Sequence, residues 1–171
     1  MYSTMAVGQH QMLTDRPKSL ILRRFTAILY HLINMNIYFA GSIRGGRQDQ
    51  GLYAQIVALL GEYGTVLTDH VSDSKIGPRG EDWRTDKEIY QYDTDLLKKC
   101  DVVVAEVTTP SLGVGYEVAM AVTLNKKVLC LYRPSAEHSL SPLIAGDPKI
   151  TVVEYQTIDQ LSRVLKTFLK K

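Results

Sequence analysis

Asp101-Val102-Val103-Val104-Ala105-Glu106-Val107 decides the fold. Four consecutive apolar residues, three of them β-branched, leave no face of a strand for water, which suits a central parallel strand covered on both sides. Further strand candidates flank it at Ile37–Ala40, Thr65–Thr68, Val128–Tyr132 and Ile150–Glu154. Between them lie stretches with helical spacing. Gln48–Tyr63 puts Leu52, Ile56, Leu59, Leu60 and Tyr63 on one face, and Thr85–Lys99 does the same with Ile89, Tyr92, Leu96 and Leu97. Gly115–Leu124 and Ile158–Leu169 complete the alternation. Five strands alternating with helices predict an α/β fold: a flavodoxin/Rossmann-like open five-stranded parallel sheet, helices on both faces, strand order 2-1-3-4-5. Such a sheet binds ligands beyond the carboxyl ends of its strands, where the order reverses. That places a site between two loops, Gly41–Arg47 and Thr108–Glu117.

Composition sets the outer bounds. The 171 residues are 45% hydrophobic and 22% charged, with 20 Lys and Arg against 18 Asp and Glu, an ordinary globular balance. A net charge of +2 is too small to argue for nucleic-acid binding. The excess belongs to residues 1–35, which carry a net of +3, leaving −1 for the remainder. Residues 1–35 are expected to form a poorly ordered or accessory N-terminal extension, and 36–171 the functional domain. The apolar stretch Leu20–Met35, interrupted by Arg23 and Arg24, is too short for a bilayer span and lacks a signal-peptide cleavage site. Mitochondrial targeting is a minor alternative, and Met35, directly before the first strand, could be the true start. Cys100 and Cys130 sit in apolar surroundings outside any metal spacing and read as small buried hydrophobes. No cluster of metal ligands stands out, and no metal is expected.

The loop Gly41-Ser42-Ile43-Arg44-Gly45-Gly46-Arg47 has glycines that permit close backbone approach, a serine hydroxyl and two forked cations suited to a phosphate. It is neither a Walker loop nor G-x-G-x-x-G, and a flexible turn with solvated arginines is the plainer alternative. In Thr108-Thr109-Pro110-Ser111-Leu112-Gly113-Val114-Gly115-Tyr116-Glu117, a serine and glycines precede a helix start, where free N–H groups favour an anion. Glu117 is expected in or near the first helical turn, held ionised as a nucleophile requires. Asp93 and Asp95 on the preceding helix are equally acidic, and the residues alone do not choose between them. Tyr38 on the first strand and His70 beside the cleft have ordinary readings as core and loop residues.

I-Y-F-A-G-S-I-R-G-G-R, G-T-V-L-T-D-H-V and D-V-V-V-A-E-V-T-T-P-S-L-G-V-G-Y-E resemble the 2′-deoxynucleoside 5′-phosphate N-hydrolase family of the nucleoside 2-deoxyribosyltransferase superfamily, from about Ile37 to Leu169. The resemblance implies hydrolysis of the N-glycosidic bond of deoxyribonucleoside 5′-monophosphates to free base and 2-deoxyribose 5-phosphate, without a cofactor. It makes Glu117 the nucleophile, Asp93 the second carboxylate and Tyr38 the active-site tyrosine. Gly41, Ser42, Ile43, Arg44, Gly45, Gly46, Arg47, His70, Ser111 and Gly113 would bind substrate. Ser141 would reach the phosphate in a neighbouring subunit's site, so a homodimer is implied, with neither nucleic acid nor membrane as partner. Pro142, which follows it, has no N–H to offer. A cytoplasmic and nuclear location is implied too. The alternatives are a nucleoside 2-deoxyribosyltransferase, which needs no phosphate grip, and a non-catalytic nucleotide-binding module. A phosphoacceptor receiver is disfavoured, because no acidic pair follows Tyr38.

Overall fold

The structure is a computed structural model that describes residues 35–46, 48–73, 76–77, 80, 82–134 and 139–169. Apart from Met35, the expected N-terminal extension lies outside the described residues. Strands β1 (Asn36–Ala40), β2 (Thr65–Val66), β3 (Val102–Glu106), β4 (Lys127–Tyr132) and β5 (Ile150–Glu154) form one sheet in the order β2-β1-β3-β4-β5. Every pairing is parallel. The expected architecture and strand order are both present. Helices α1 (Gln50–Gly61), α2 (Asp86–Lys99), α3 (Leu112–Thr123), α4 (Pro142–Ala145) and α5 (Ile158–Leu169) connect or follow the strands.

Side-chain alternation along the strands divides the core in two. Ile37, Phe39, Val102 and Val104 point to one face and pack with Tyr53, Ile56 and Leu60 of α1 and Leu161 and Leu165 of α5. Tyr38, Ala40, Val103 and Ala105 point to the other and meet Leu97 of α2 and Val114, Val118 and Ala121 of α3. β3 is buried at all five positions, as its unbroken apolar run requires. Cys100 and Cys130 are free and buried; burial pushes their thiols up to about 11 and about 12.

The strand expected over Thr65–Thr68 stops at Val66. Thr68 replaces the backbone ladder with its side chain: Phe39 N–H donates to Thr68 Oγ1 at 2.8 Å, and that hydroxyl donates to Phe39 O at 2.7 Å. A 3-10 turn, Asp69–Ser72, follows and places His70 at the carboxyl side of the sheet. α2 starts where a capping box stands, with the Thr85 side chain accepting from Glu88 N–H while Glu88 reaches back to the Thr85 N–H. α4 has no counterpart in the expected elements; its four residues start with Pro142 at the first helical position, where a missing N–H costs nothing.

Candidate active site

The third helix begins three residues earlier than the glycines suggest. Ser111 is its N-cap, accepting from Val114 N–H at 3.5 Å, and Gly113 and Gly115 lie within the helix. Glu117 is therefore the sixth helical residue, in the second turn: near the first turn, as expected, but not in it. At that depth the helix dipole has faded. The stripe Val114, Val118 and Ala121 faces the sheet, and Glu117, one turn from both Val114 and Ala121, is turned with it toward Tyr38.

Tyr38 OH donates to Glu117 Oε1 at 2.6 Å. Burial pushes the Glu117 carboxyl up to about 7; the Tyr38 hydrogen bond opposes this and the nearby charge of Asp93 adds to it. The helix start therefore does not set its ionisation, as the sequence led us to expect; burial and the Tyr38 bond do. The side chain keeps an opening to solvent, but protein surrounds it closely enough to strip most of its hydration, and a single phenolic donor does not replace that. Burial, Glu117 and Asp93 all push the Tyr38 phenol upward, so it stays protonated and remains a donor.

The structure also separates the two aspartates. Asp93 acts electrostatically on both Tyr38 and Glu117. Asp95 accepts from Gln91 Nε2 at 2.9 Å and pairs with Lys98 at 3.0 Å on the solvent side of α2. One residue before Asp93, the Tyr92 ring meets His70 edge-on, with centroids 5.8 Å apart, and carries the Arg84 guanidinium 4.3 Å from its centroid. His70 thereby joins the α2 side of the cleft.

The two glycine-bearing loops touch. A Cβ on Gly45 would lie 2.7 Å from Ser42 Oγ and 2.9 Å from the Pro110 carbonyl, so only glycine fits there. Gly46, with φ of +136°, takes a backbone shape that side chains disfavour. Gly41 and Ser42 are buried and Ile43 is half-buried. Ser42 N–H donates to Tyr53 OH at 3.2 Å, while Ser42 Oγ has no hydrogen-bond partner among the described residues. Arg44 is exposed and pairs with Asp86 at the start of α2, 3.0 Å away. Arg47 lies outside the described residues. Ser141 caps α4 through its backbone alone; it is exposed, and among the described residues its side chain has no bond to the Tyr38–Glu117 group. Its neighbours Leu140 and Ile144 pack on the same side of the sheet as that group.

A second polar group escaped sequence reasoning. Glu106, at the end of β3, is fully buried. It accepts from Thr108 Oγ1 and, at 3.1 Å, from Tyr155 OH. Arg133, just past β4, lies 2.5 Å from Asp49 Oδ2 and 3.7 Å from Glu106 Oε1. The available signal was a charged residue ending each of two apolar strands, at Glu106 and Arg133. Among the described residues no group of three or more His, Cys, Asp or Glu is placed to hold a metal ion, and no helix is long and apolar enough to cross a membrane.

Comparison with known proteins places the chain in a family. A 5-hydroxymethyl-dUMP N-hydrolase of Danio rerio is 48% identical over 139 residues, covering 80% of this chain and 96% of the relative. A mouse protein of the same name is 53% identical over 116 residues, covering 67% of each chain. The fold matches a solved CMP N-glycosidase of Clostridium botulinum with a TM-score of 0.57 at 18% identity, over 78% of this chain and 98% of the other. The sequence profile described as Nucleoside 2-deoxyribosyltransferase matches residues 37–161. The chain belongs to the nucleoside 2-deoxyribosyltransferase family.

Proposed function

We propose that this protein hydrolyses the N-glycosidic bond of 2′-deoxyribonucleoside 5′-monophosphates, releasing the base and 2-deoxyribose 5-phosphate. The observation that carries this reading is the convergence of Tyr38, Glu117 and Asp93 at the β1/β3 switch point, beside two touching glycine-bearing loops. The N-hydrolase names of the relatives support the substrate class.

In this mechanism the Glu117 carboxylate attacks C1′ and the C1′–N bond breaks toward the base, which leaves with a proton delivered by Asp93. The transition state has oxocarbenium character, and an adjacent carboxylate stabilises it before trapping it as a glycosyl ester. Water then attacks C1′, giving its proton to the Asp93 carboxylate left by the first step, and the ester bond breaks to release Glu117 and the sugar phosphate. Tyr38 holds Glu117 in line and, by donating to it, favours the ionised form that attacks. Absence of a 2′-hydroxyl makes the cation easier to form. Ser42 Oγ, the Arg44 guanidinium, Ser111 and the N–H of Gly113 at the start of α3 form the grip for the 5′-phosphate. Binding at that remote end positions C1′ over the carboxylate. His70, packed edge-on against Tyr92, belongs to the substrate-binding surface on the α2 side of the cleft.

The proposal includes a homodimer in which Ser141 reaches the partner's phosphate site. Two large side chains next to the positions concerned support it: Leu112, following Ser111, is 97% exposed, and Leu143, two residues after Ser141, is 85% exposed. An interface removes such surface from water. The test of the whole reading is chromatography of products after incubation with paired deoxyribonucleosides and their 5′-monophosphates, 5-hydroxymethyl-dUMP included. Base release confined to monophosphates supports it. Transfer of deoxyribose to an added base, from unphosphorylated nucleosides, would favour the transferase instead, and no release at all would leave a binding module.

A further inference from the structure

Four loops meet at the carboxyl end of the sheet on the face opposite Tyr38, and polar side chains hold them together. From the loop after β1, Gln48 Nε2 donates to Thr109 Oγ1 at 3.1 Å, and Asp49 Oδ2 accepts from that same hydroxyl at 3.3 Å. From the loop after β3, Thr108 Oγ1 donates to Glu106 and accepts from Arg133 N–H at 2.8 Å. Arg133 follows β4 and binds Asp49; Tyr155 follows β5 and binds Glu106. Tyr53, whose hydroxyl accepts the Ser42 N–H, feels the charges of Glu106, Asp49 and Arg133. One cation thus stands between two carboxylates directly beneath both loops of the site.

That arrangement is expensive to bury, and a packed apolar plug would fill the same space without the cost. The geometry points to a positioning role: we propose that the Glu106–Arg133–Asp49 cluster, through Thr108 and Thr109, sets the spacing between loop 41–46 and the Pro110–Ser111 segment, and thereby the affinity for the substrate's phosphate. The inference rests on the proposed function. Gly45 shows how little slack exists, since a Cβ there would lie 2.7 Å from Ser42 Oγ and 2.9 Å from the Pro110 carbonyl. None of the cluster's side chains needs to touch the reacting sugar, because Glu106 and Glu117 face opposite sides of the sheet. Rigid ionic ties of this kind hold geometry where a greasy contact would let loops slide.

The experiment uses the full chain with Asp49→Asn, Thr109→Val, Arg133→Lys and Arg133→Met. KM and kcat are measured for a deoxyribonucleoside monophosphate, and Kd by calorimetry for 2-deoxyribose 5-phosphate and for the unphosphorylated nucleoside. Asp49→Asn and Thr109→Val should raise KM and the sugar-phosphate Kd about fivefold or more, with kcat within about twofold and nucleoside binding unmoved. Arg133→Lys, which keeps charge but not the fork, should fall between Arg133→Met and the unaltered protein. Asp49 is partly exposed, so Asp49→Asn keeps the inference testable if Arg133→Met does not fold. A lower melting temperature with unchanged KM, or equal losses for nucleoside and sugar phosphate, overturns it. Failure of the proposed function is distinguishable, because then the unaltered protein itself releases no base from monophosphates.

Discussion

Tyr38 and Glu117 stand 79 positions apart in the chain, yet the phenol donates to the carboxylate across 2.6 Å. A strand that points every second side chain at α3 and a helix that points every third or fourth at β1 bring them together. The bond is charge-assisted when Glu117 is ionised. It works against the burial that favours the protonated form, so the pair tunes a nucleophile as well as placing it.

Removing the carboxylate is the most direct check on its role. Glu117→Gln should lower the rate of base release about a thousandfold or more, the usual scale for a lost covalent nucleophile. The fold should persist, since Gln can still accept from Tyr38. Steady-state kinetics with circular dichroism on the same sample decides it; undiminished turnover removes Glu117 as nucleophile.

Stability should respond with a defined sign. Glu117, pushed up to about 7 in the folded state, lies above its ordinary value of 4.5. The native state therefore holds its proton more tightly, and stability falls as pH rises from about 4.5 to about 7. Glu117→Gln relieves that cost, by up to about 3 kcal/mol above pH 7 and by nothing at pH 4. Melting curves at both pH values test this: the variant should melt higher only at the alkaline end.

Catalysis should show the same ionisation. The rate at saturating or subsaturating substrate should rise with pH through an inflection near 7, as Glu117 loses its proton. Tyr38→Phe removes the hydrogen bond that lowers the Glu117 value, so its inflection should move upward. A pH–rate profile that keeps its inflection in Tyr38→Phe would detach the phenol from this function.

The two aspartates of α2 should behave unequally. Asp93 bears on Glu117 and Tyr38, whereas Asp95 is spent on Gln91 and Lys98. Asp93→Asn should cost about a hundredfold or more in kcat, in line with loss of a proton donor. Asp95→Asn should stay within about twofold, because an exposed pair contributes little.

Phosphate affinity and assembly can be probed at exposed positions. Arg44→Ala should raise KM for the monophosphate about tenfold, the order of one charge-assisted contact, with a smaller effect on any nucleoside turnover. Leu112→Asp should shift the protein to monomer in analytical ultracentrifugation and lower phosphate-dependent affinity together, if Ser141 serves the partner's site. Leu112→Asp protein that remains a fully active dimer would exclude that face as the interface.

The alternation of apolar runs and amphipathic stretches was enough to determine the parallel sheet, and the fold class it implies carried the strand order. Val102–Ala105 has no polar side for water, and parallel strands need crossovers, so few topologies remain. The short spacing of Gly41–Arg47 and Thr108–Glu117 after β1 and β3 likewise placed both loops at the switch point. Packing alone decided the rest. Whether Asp93 or Asp95 faces the site depends on the rotation of α2 about its axis, and whether Glu117 is ionised depends on how much water protein atoms displace. The Glu106–Arg133–Asp49 group depends on strands distant in sequence ending side by side. Each of these is a property of surroundings contributed by remote residues, which local spacing does not encode.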